Sequence, residues 1–228
     1  MRAVGAVLVD FDGTACSQDV SEALLVAFGD PGWRALDEAV ARGEIGLREC
    51  VDRQASMLRG SRGEMLAFAL DRFALDPSFS RFVDWARESG LGMAVVSDGF
   101  GFHVRPMLEA AGLGSIEVLA NEFDDGLVRH PNGHPVCIGC GTCKMLAALR
   151  LKERHGPVAF VGDGQSDRYG ALYSDVVFAK RTLARICTRD GVPFLPWKTF
   201  DDVRAGLESS RVAPGSGAPE TCPGWREG

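Results

Sequence analysis

The most constraining feature of the chain is an apolar, β-branched-rich run at residues 4–9 that stops at Asp10 and passes straight into Phe11-Asp12-Gly13-Thr14. A run with no polar face suits a strand buried on both sides, as the strands of parallel sheets are. The form recurs: residues 91–96 run into Ser97-Asp98-Gly99, and 158–161 into Gly162-Asp163-Gly164. Further strands are read at 116–120 and 175–178. Helices are read at 78–88, 104–111, 142–153, 167–172, 182–189 and 200–207. Residues 122–136, rich in Gly, Pro, Asn and His, read as a hairpin or loop. Strands alternating with helices predict an α/β fold with a Rossmann-like, doubly wound parallel sheet.

The alternation breaks once. Residues 18–73 carry helical periodicity only, with breaks at 30–32, 43–46 and 60–63, which gives about four helices and no strand. Such a block after the first strand predicts a small helical cap. The chain divides into a core of 1–16 and 76–208, a cap of 17–75, and a tail of 209–228 whose Gly, Pro and Ser content predicts disorder.

Three strand ends carry polar groups, and the carboxyl edge of an open α/β sheet is where ligands bind. Asp10 and Asp12 are two residues apart, so both can face one side. Ser97 with the amide of Gly99 can hold phosphate oxygens. Asp163 and Asp167 suit a hard cation. Taken singly, each has an ordinary reading as a turn, a loop or a helix N-cap, and Lys144 as a solvent-facing residue.

Composition narrows the field. The net charge is −6 and no basic stripe is present, which argues against nucleic acid as partner. No stretch reaches the 18 or so apolar residues of a membrane span, and the short apolar start does not form a signal peptide. A cytoplasmic location is the expectation.

In order along the chain, DFDGT at 10–14, Ser97, Lys144 and GDGQSD at 162–167 resemble the four motifs of the haloacid dehalogenase superfamily, over almost the whole chain to about Glu208. The resemblance implies that Asp10 attacks phosphorus, giving an aspartyl-phosphate, and that Asp12 protonates the leaving oxygen and later activates water. It implies that Ser97, Gly99 and Lys144 hold the phosphoryl group. Mg²⁺ would sit on Asp10, Asp163 and the carbonyl of Asp12, with Asp167 behind the metal or orienting Lys144. An Asp at position 12 favours phosphatase over dehalogenase chemistry, because a leaving alkoxide needs a proton.

Residues 31–36, 140–144, 177–180 and 195–197 are similar to a narrower group, the 2-hydroxy-3-keto-5-methylthiopentenyl-1-phosphate phosphatases of methionine salvage. Asp98 departs from that group, which commonly carries Gly there, and this touches substrate choice. A small phosphorylated metabolite is the expected partner, with neither nucleic acid nor membrane, and a homodimer stays open. Phosphoserine, phosphoethanolamine or phosphocholine phosphatases, a phosphomutase, and a non-catalytic phosphate-binding protein are the competing readings.

Within 17–75, Asp19, Glu22, Arg48 and Arg53 are candidates for substrate choice or solvated charges. Trp33 reads as a core anchor and His103 as structural. Of seven cysteines, Cys137, Cys140 and Cys143 lie close together, with His130 and His134 upstream. Zn²⁺ there competes with buried thiols, which the lack of paired knuckles favours.

Overall fold

The computed structural model describes residues 3–210 and 218–227. The apolar run forms β1 (Ala6–Asp10), buried at every position. Successive side chains of a strand point to opposite faces. Val7 and Val9 accordingly join one apolar cluster, and Ala6 and Leu8 another. With both faces packed, no polar side chain fits until the strand ends at Asp10.

The remaining strands are β2 (Gly92–Phe100), β3 (Glu117–Asp124), β4 (Leu127–Arg129), β5 (Val158–Gly162), β6 (Val176–Ala179) and β7 (Leu195–Pro196). They form one seven-stranded sheet in the order β4-β3-β2-β1-β5-β6-β7. All neighbours are parallel except the β3–β4 hairpin. Asp10 pairs with Val96, and Val9 with Val161. The residues just past β1, β2 and β5 therefore reach the same rim, beside the central strand where the winding reverses.

The helices are α1 (Val20–Phe28), α2 (Arg34–Ala41), α3 (Leu47–Met57), α4 (Arg62–Arg72), α5 (Pro77–Glu88), α6 (Gly101–Ala110), α7 (Lys144–His155), α8 (Arg168–Leu172), α9 (Arg181–Asp190) and α10 (Phe200–Ser209). One face of the sheet is covered by α5, α6 and α10, through Phe79, Phe82, Leu108 and Phe200. The other is covered by α7 and α9, through Ala148, Leu151 and Leu183. Each such large apolar side chain contributes about 1.5–3 kcal/mol over exposure. Helices α1–α4 follow β1 in succession, joined by a 3-10 turn (Pro31–Trp33). Val20, Leu24, Trp33, Ala55 and Met65 belong to the same cluster as α5 and α6, so the inserted helices share that core. Trp33 is buried in it, as the core-anchor reading expects.

Two details differ from the sequence reading. Strand β2 runs past Val96 to Phe100 with a shift of register against β3, because the polar Ser97-Asp98-Gly99 segment stays extended instead of looping. Strand β7 was not anticipated: two residues with a proline at an edge carry no periodicity. Of the tail expected to be disordered, 211–217 and 228 lie outside the described residues. Residues 218–227 are described and pack back on the fold, with Ile138 N–H donating to Arg226 O at 2.9 Å and Tyr173 Oη to Pro219 O at 2.8 Å.

His103 is fully buried, its ring against Phe11 and Phe102. Neither ring nitrogen has a hydrogen-bond partner among the described residues, and burial lowers its pKa. The unfolded chain protonates this histidine below about pH 6.5, while the folded chain resists. The unfolded state then binds more protons, so stability falls as pH drops through that value. A His103→Leu variant is expected to equal or exceed the parent at neutral pH. It should lose less stability between about pH 7.5 and about pH 5.5 in urea denaturation. Identical acid losses in both proteins would refute the assignment.

Candidate active site

Asp10 ends β1 as a buried carboxylate whose Oδ1 accepts from Lys144 Nζ at 2.7 Å. The same ammonium donates to Asp167 Oδ1 at 2.7 Å and to Ser166 Oγ at 3.1 Å. Lys144 reaches the rim because it is the first residue of α7, whose N-terminus faces the carboxyl edge of the sheet. The solvent-facing alternative for this lysine does not hold, since its side chain is 1% exposed. Asp167 is anchored in turn: its Oδ2 accepts the amides of Asp163 and Gly164 at 2.8 and 2.9 Å.

Asp12 stands beside this group. Its Oδ1 accepts Val20 N–H at 2.9 Å, in the first turn of α1, and its Oδ2 accepts Ser21 Oγ–H at 2.9 Å. Ser97 Oγ lies 3.5 Å from Asp12 Oδ2 and accepts the Gly99 amide at 2.9 Å. Asp163, after β5, is met by Thr14 Oγ1 at 3.4 Å and by the guanidinium of Arg181 at 3.0 Å. Gly13 makes this approach feasible: its φ is +74°, and a Cβ there would stand 2.5 Å from Asp163 Oδ2.

Every residue assigned to the site from sequence, Asp10, Asp12, Ser97, Gly99, Lys144, Asp163 and Asp167, is thus at one rim. Carboxylate oxygens of Asp10, Asp163 and Asp167 lie within 4.8 Å of one another. Burial, and next the Asp167 charge, push Asp10 well above the usual carboxylate range. Burial by itself would lower Lys144, yet the Asp10 and Asp167 carboxylates raise it well above its ordinary value. The ammonium therefore stays charged between two acids. Burial, then Asp167, raises Asp163 as well. Such a crowd of hard oxygen donors, short of positive charge, fits a hard divalent cation of the Mg²⁺ type.

Arg181 was missed from sequence. It follows the end of β6, the same signal that marked the other strands, and it holds a left-handed φ of 47° that costs about 1–2 kcal/mol. Ser21 was missed too, since nothing in its neighbourhood distinguishes it. Asp98 does not face the phosphoryl site. Its Oδ1 accepts the Thr142 amide at 3.0 Å, tying the end of β2 to the loop before Lys144. Asn121 extends the tie, donating to Asp98 O at 2.7 Å and contacting His130 Nδ1 at 2.7 Å, while His130 Nε2 meets Asp52 at 2.8 Å. Both nitrogens of His130 are therefore engaged away from the cysteines, which removes it as a metal ligand.

An open cavity of about 480 Å³ lies over the rim. Asp19, Glu22, Leu25, Trp33, Val51 and Gln54 form its helical wall. Of the residues considered for substrate choice, Asp19 and Glu22 line it. Arg48 donates instead to Cys140 O at 3.1 Å, and Arg53 pairs with Glu49 at 3.3 Å on the surface.

A family model for haloacid dehalogenase-like hydrolases matches residues 7–171. The 2-hydroxy-3-keto-5-methylthiopentenyl-1-phosphate phosphatase of Geobacillus kaustophilus is 32% identical, over 89% of this chain and 95% of that protein. The bifunctional enzyme MtnB/MtnX of Bacillus licheniformis is 32% identical over 90% of this chain, which spans 49% of that longer protein. A solved phosphoserine phosphatase, described as a phospho-aspartyl intermediate analogue, superposes with a TM-score of 0.67 at 18% identity, covering 92% of this chain and 100% of that one. At that identity the likeness speaks for the fold.

The carboxylate cluster generates a test that needs no substrate. Mg²⁺ at about 100-fold over its dissociation constant is expected to stabilise the protein by about 2.7 kcal/mol, read as a rise in Tm by calorimetry. Asp163→Asn should remove the rise. Arg181→Ala should enlarge it, because its guanidinium competes for Asp163. An undiminished rise in Asp163→Asn would place the cation elsewhere.

Proposed function

Because the chain belongs to the haloacid dehalogenase-like hydrolases, we propose that it is a Mg²⁺-dependent phosphomonoesterase working through an aspartyl-phosphate on Asp10. The observation that carries this reading is the single ammonium of Lys144 shared between Asp10 and Asp167 at 2.7 Å each. It steers a nucleophilic oxygen and leaves a cationic N–H face for the phosphoryl group.

In the proposed sequence, a carboxylate oxygen of Asp10 attacks phosphorus and the bond to the ester oxygen breaks. Asp12, fixed by Val20 N–H and Ser21 Oγ–H, delivers its proton to the departing oxygen. Water then adds to phosphorus, giving its proton to Asp12, and the carboxylate of Asp10 leaves. Ser97 Oγ–H, Lys144 Nζ and the Gly99 amide hold the equatorial oxygens. Asp10, Asp163 and the carbonyl of Asp12 would hold Mg²⁺, with Asp167 orienting Lys144. The cation, when bound, offsets the repulsion between a carboxylate and a phosphate dianion and stabilises charge in the in-line displacement.

Residues 17–75 are proposed to act as the cap that closes over the rim and selects substrate. Leu25, Trp33 and Val51 offer an apolar wall, with Asp19, Glu22 and Gln54 as hydroxyl acceptors. Among the described residues lining the cavity, Arg181 is the sole Arg or Lys, and it is paired with Asp163. That wall suits a neutral polyol-like phosphate with an apolar tail better than phosphoserine, whose carboxylate needs a cation. The relatives favour 2-hydroxy-3-keto-5-methylthiopentenyl-1-phosphate as that substrate.

Phosphate release with Mg²⁺ from this compound, phosphoserine, phosphoethanolamine and phosphocholine tests the proposal. The methylthio ester is expected to give the highest kcat/KM. Asp10→Asn should abolish turnover, and Asp12→Asn should lower kcat about 10²–10⁴-fold. Preferred hydrolysis of phosphoserine would overturn the substrate, isomerised sugar phosphate without free phosphate would indicate a mutase, and no turnover on any ester would overturn the reading.

A further inference from the structure

Four of the seven cysteines play no part in this chemistry, and they gather in one place. Cys137, Cys140 and Cys143 come from the loop before α7, and Cys222 from the described C-terminal segment. All four line a cavity of about 10 Å³, the room of a single water-sized sphere. None of them is in a disulfide.

Backbone amides are aimed at these sulfurs. The N–H groups of Gly139 and Arg226 donate to Cys137 Sγ at 3.4 and 3.3 Å. Burial raises the thiols of Cys143 and Cys222, while the amides of Leu146 and Gly224 favour their anionic forms. Cys137-Ile-Gly139 and Cys222-Pro-Gly224 repeat one device, in which an amide two residues on turns back toward sulfur. A neutral thiol is a weak acceptor and makes little use of such donors; a thiolate uses them well. Several thiolates crowded together in turn require a cation.

We propose that Cys137, Cys140, Cys143 and Cys222 form a tetrahedral Zn²⁺ site that fastens the C-terminal segment to the loop preceding Lys144. Four thiolates select Zn²⁺ over the oxygen-seeking Mg²⁺ of the neighbouring site. Cys222 supplies the ligand that the local Cys-x₂-Cys-x₂-Cys spacing lacks. His134 is not needed, since its Nδ1 already accepts the amides of Val136 and Cys137 at 3.1 and 3.0 Å. Among the described residues, Asp10, Asp163 and Asp167 are the ligating groups already drawn within 4.8 Å of one another. The sulfurs ring the cavity more loosely, and rotation about their Cα–Cβ bonds closes them on the ion. Each thiol that binds releases its proton to solvent. Cys143 directly precedes Lys144 and is the N-cap of α7, so the ion would brace the helix start that delivers the ammonium to Asp10.

Zinc content of the full chain, purified without chelator, tests this independently of any phosphatase assay. About one zinc per chain is expected, retained in Asp163→Asn and in Cys187→Ser. Cys140→Ser and Cys222→Ser should hold zinc at least about tenfold less well. Cys222 lies outside both apolar clusters of the sheet, so its variant should keep the parent's far-ultraviolet circular dichroism. Co²⁺ in place of zinc should give the visible bands of tetrahedral thiolate ligation. A zinc-free protein with every thiol reactive would overturn the proposal. So would zinc lost from Asp163→Asn but kept by Cys222→Ser, or a disulfide at Cys222 in the intact mass.

Discussion

The site depends on one buried ammonium held between two carboxylates. Lys144 is 1% exposed and touches Asp10 and Asp167 at 2.7 Å each. Burying three charges is costly, and such a triad is no stronger than a packed apolar cluster. Its value lies in convergence. β1 brings Asp10, the turn after β5 brings Asp167, and α7 brings Lys144. Removing any one partner strands a charge where water does not reach it, at a cost of about 3–5 kcal/mol. The arrangement therefore locks three distant stretches of chain into one register.

Around that triad the remaining groups are held by backbone. Asp12 accepts from the first turn of α1, so the residue placed for proton transfer is coupled to the start of the inserted helices. Asp167 is held by two successive amides, and Asp98 by the Thr142 amide. The chain of contacts from Asp52 through His130 and Asn121 to the end of β2 connects α3 to the phosphate-holding segment. Substrate seated against α1 and α3 is thereby in mechanical contact with both carboxylate walls.

Much of this was legible in the sequence, for identifiable reasons. Apolar runs that end in Asp or Ser mark central strands, since a doubly covered strand tolerates no polar residue before its end. Asp10, Ser97 and Asp163 were found in that way. Lys144 was less legible: a lysine opening a helix is ordinarily solvated, and only its place in the motif order singled it out. Arg181 escaped because the β6 end was not weighed like the others. Strand β7 and the return of 218–227 carry no periodic signal, and His130 lies nearer the cysteines in sequence than in space.

The sequence by itself determined the alternating architecture, the inserted helices and the identity of the acids and the lysine, because periodicity and residue type are local properties. Tertiary structure alone decided which groups share a proton or a charge: Lys144 between Asp10 and Asp167, Arg181 on Asp163, His130 with Asp52, and Cys222 beside three far earlier cysteines. Those pairings arise from parallel register and helix placement, which bring together residues that no spacing along the chain connects.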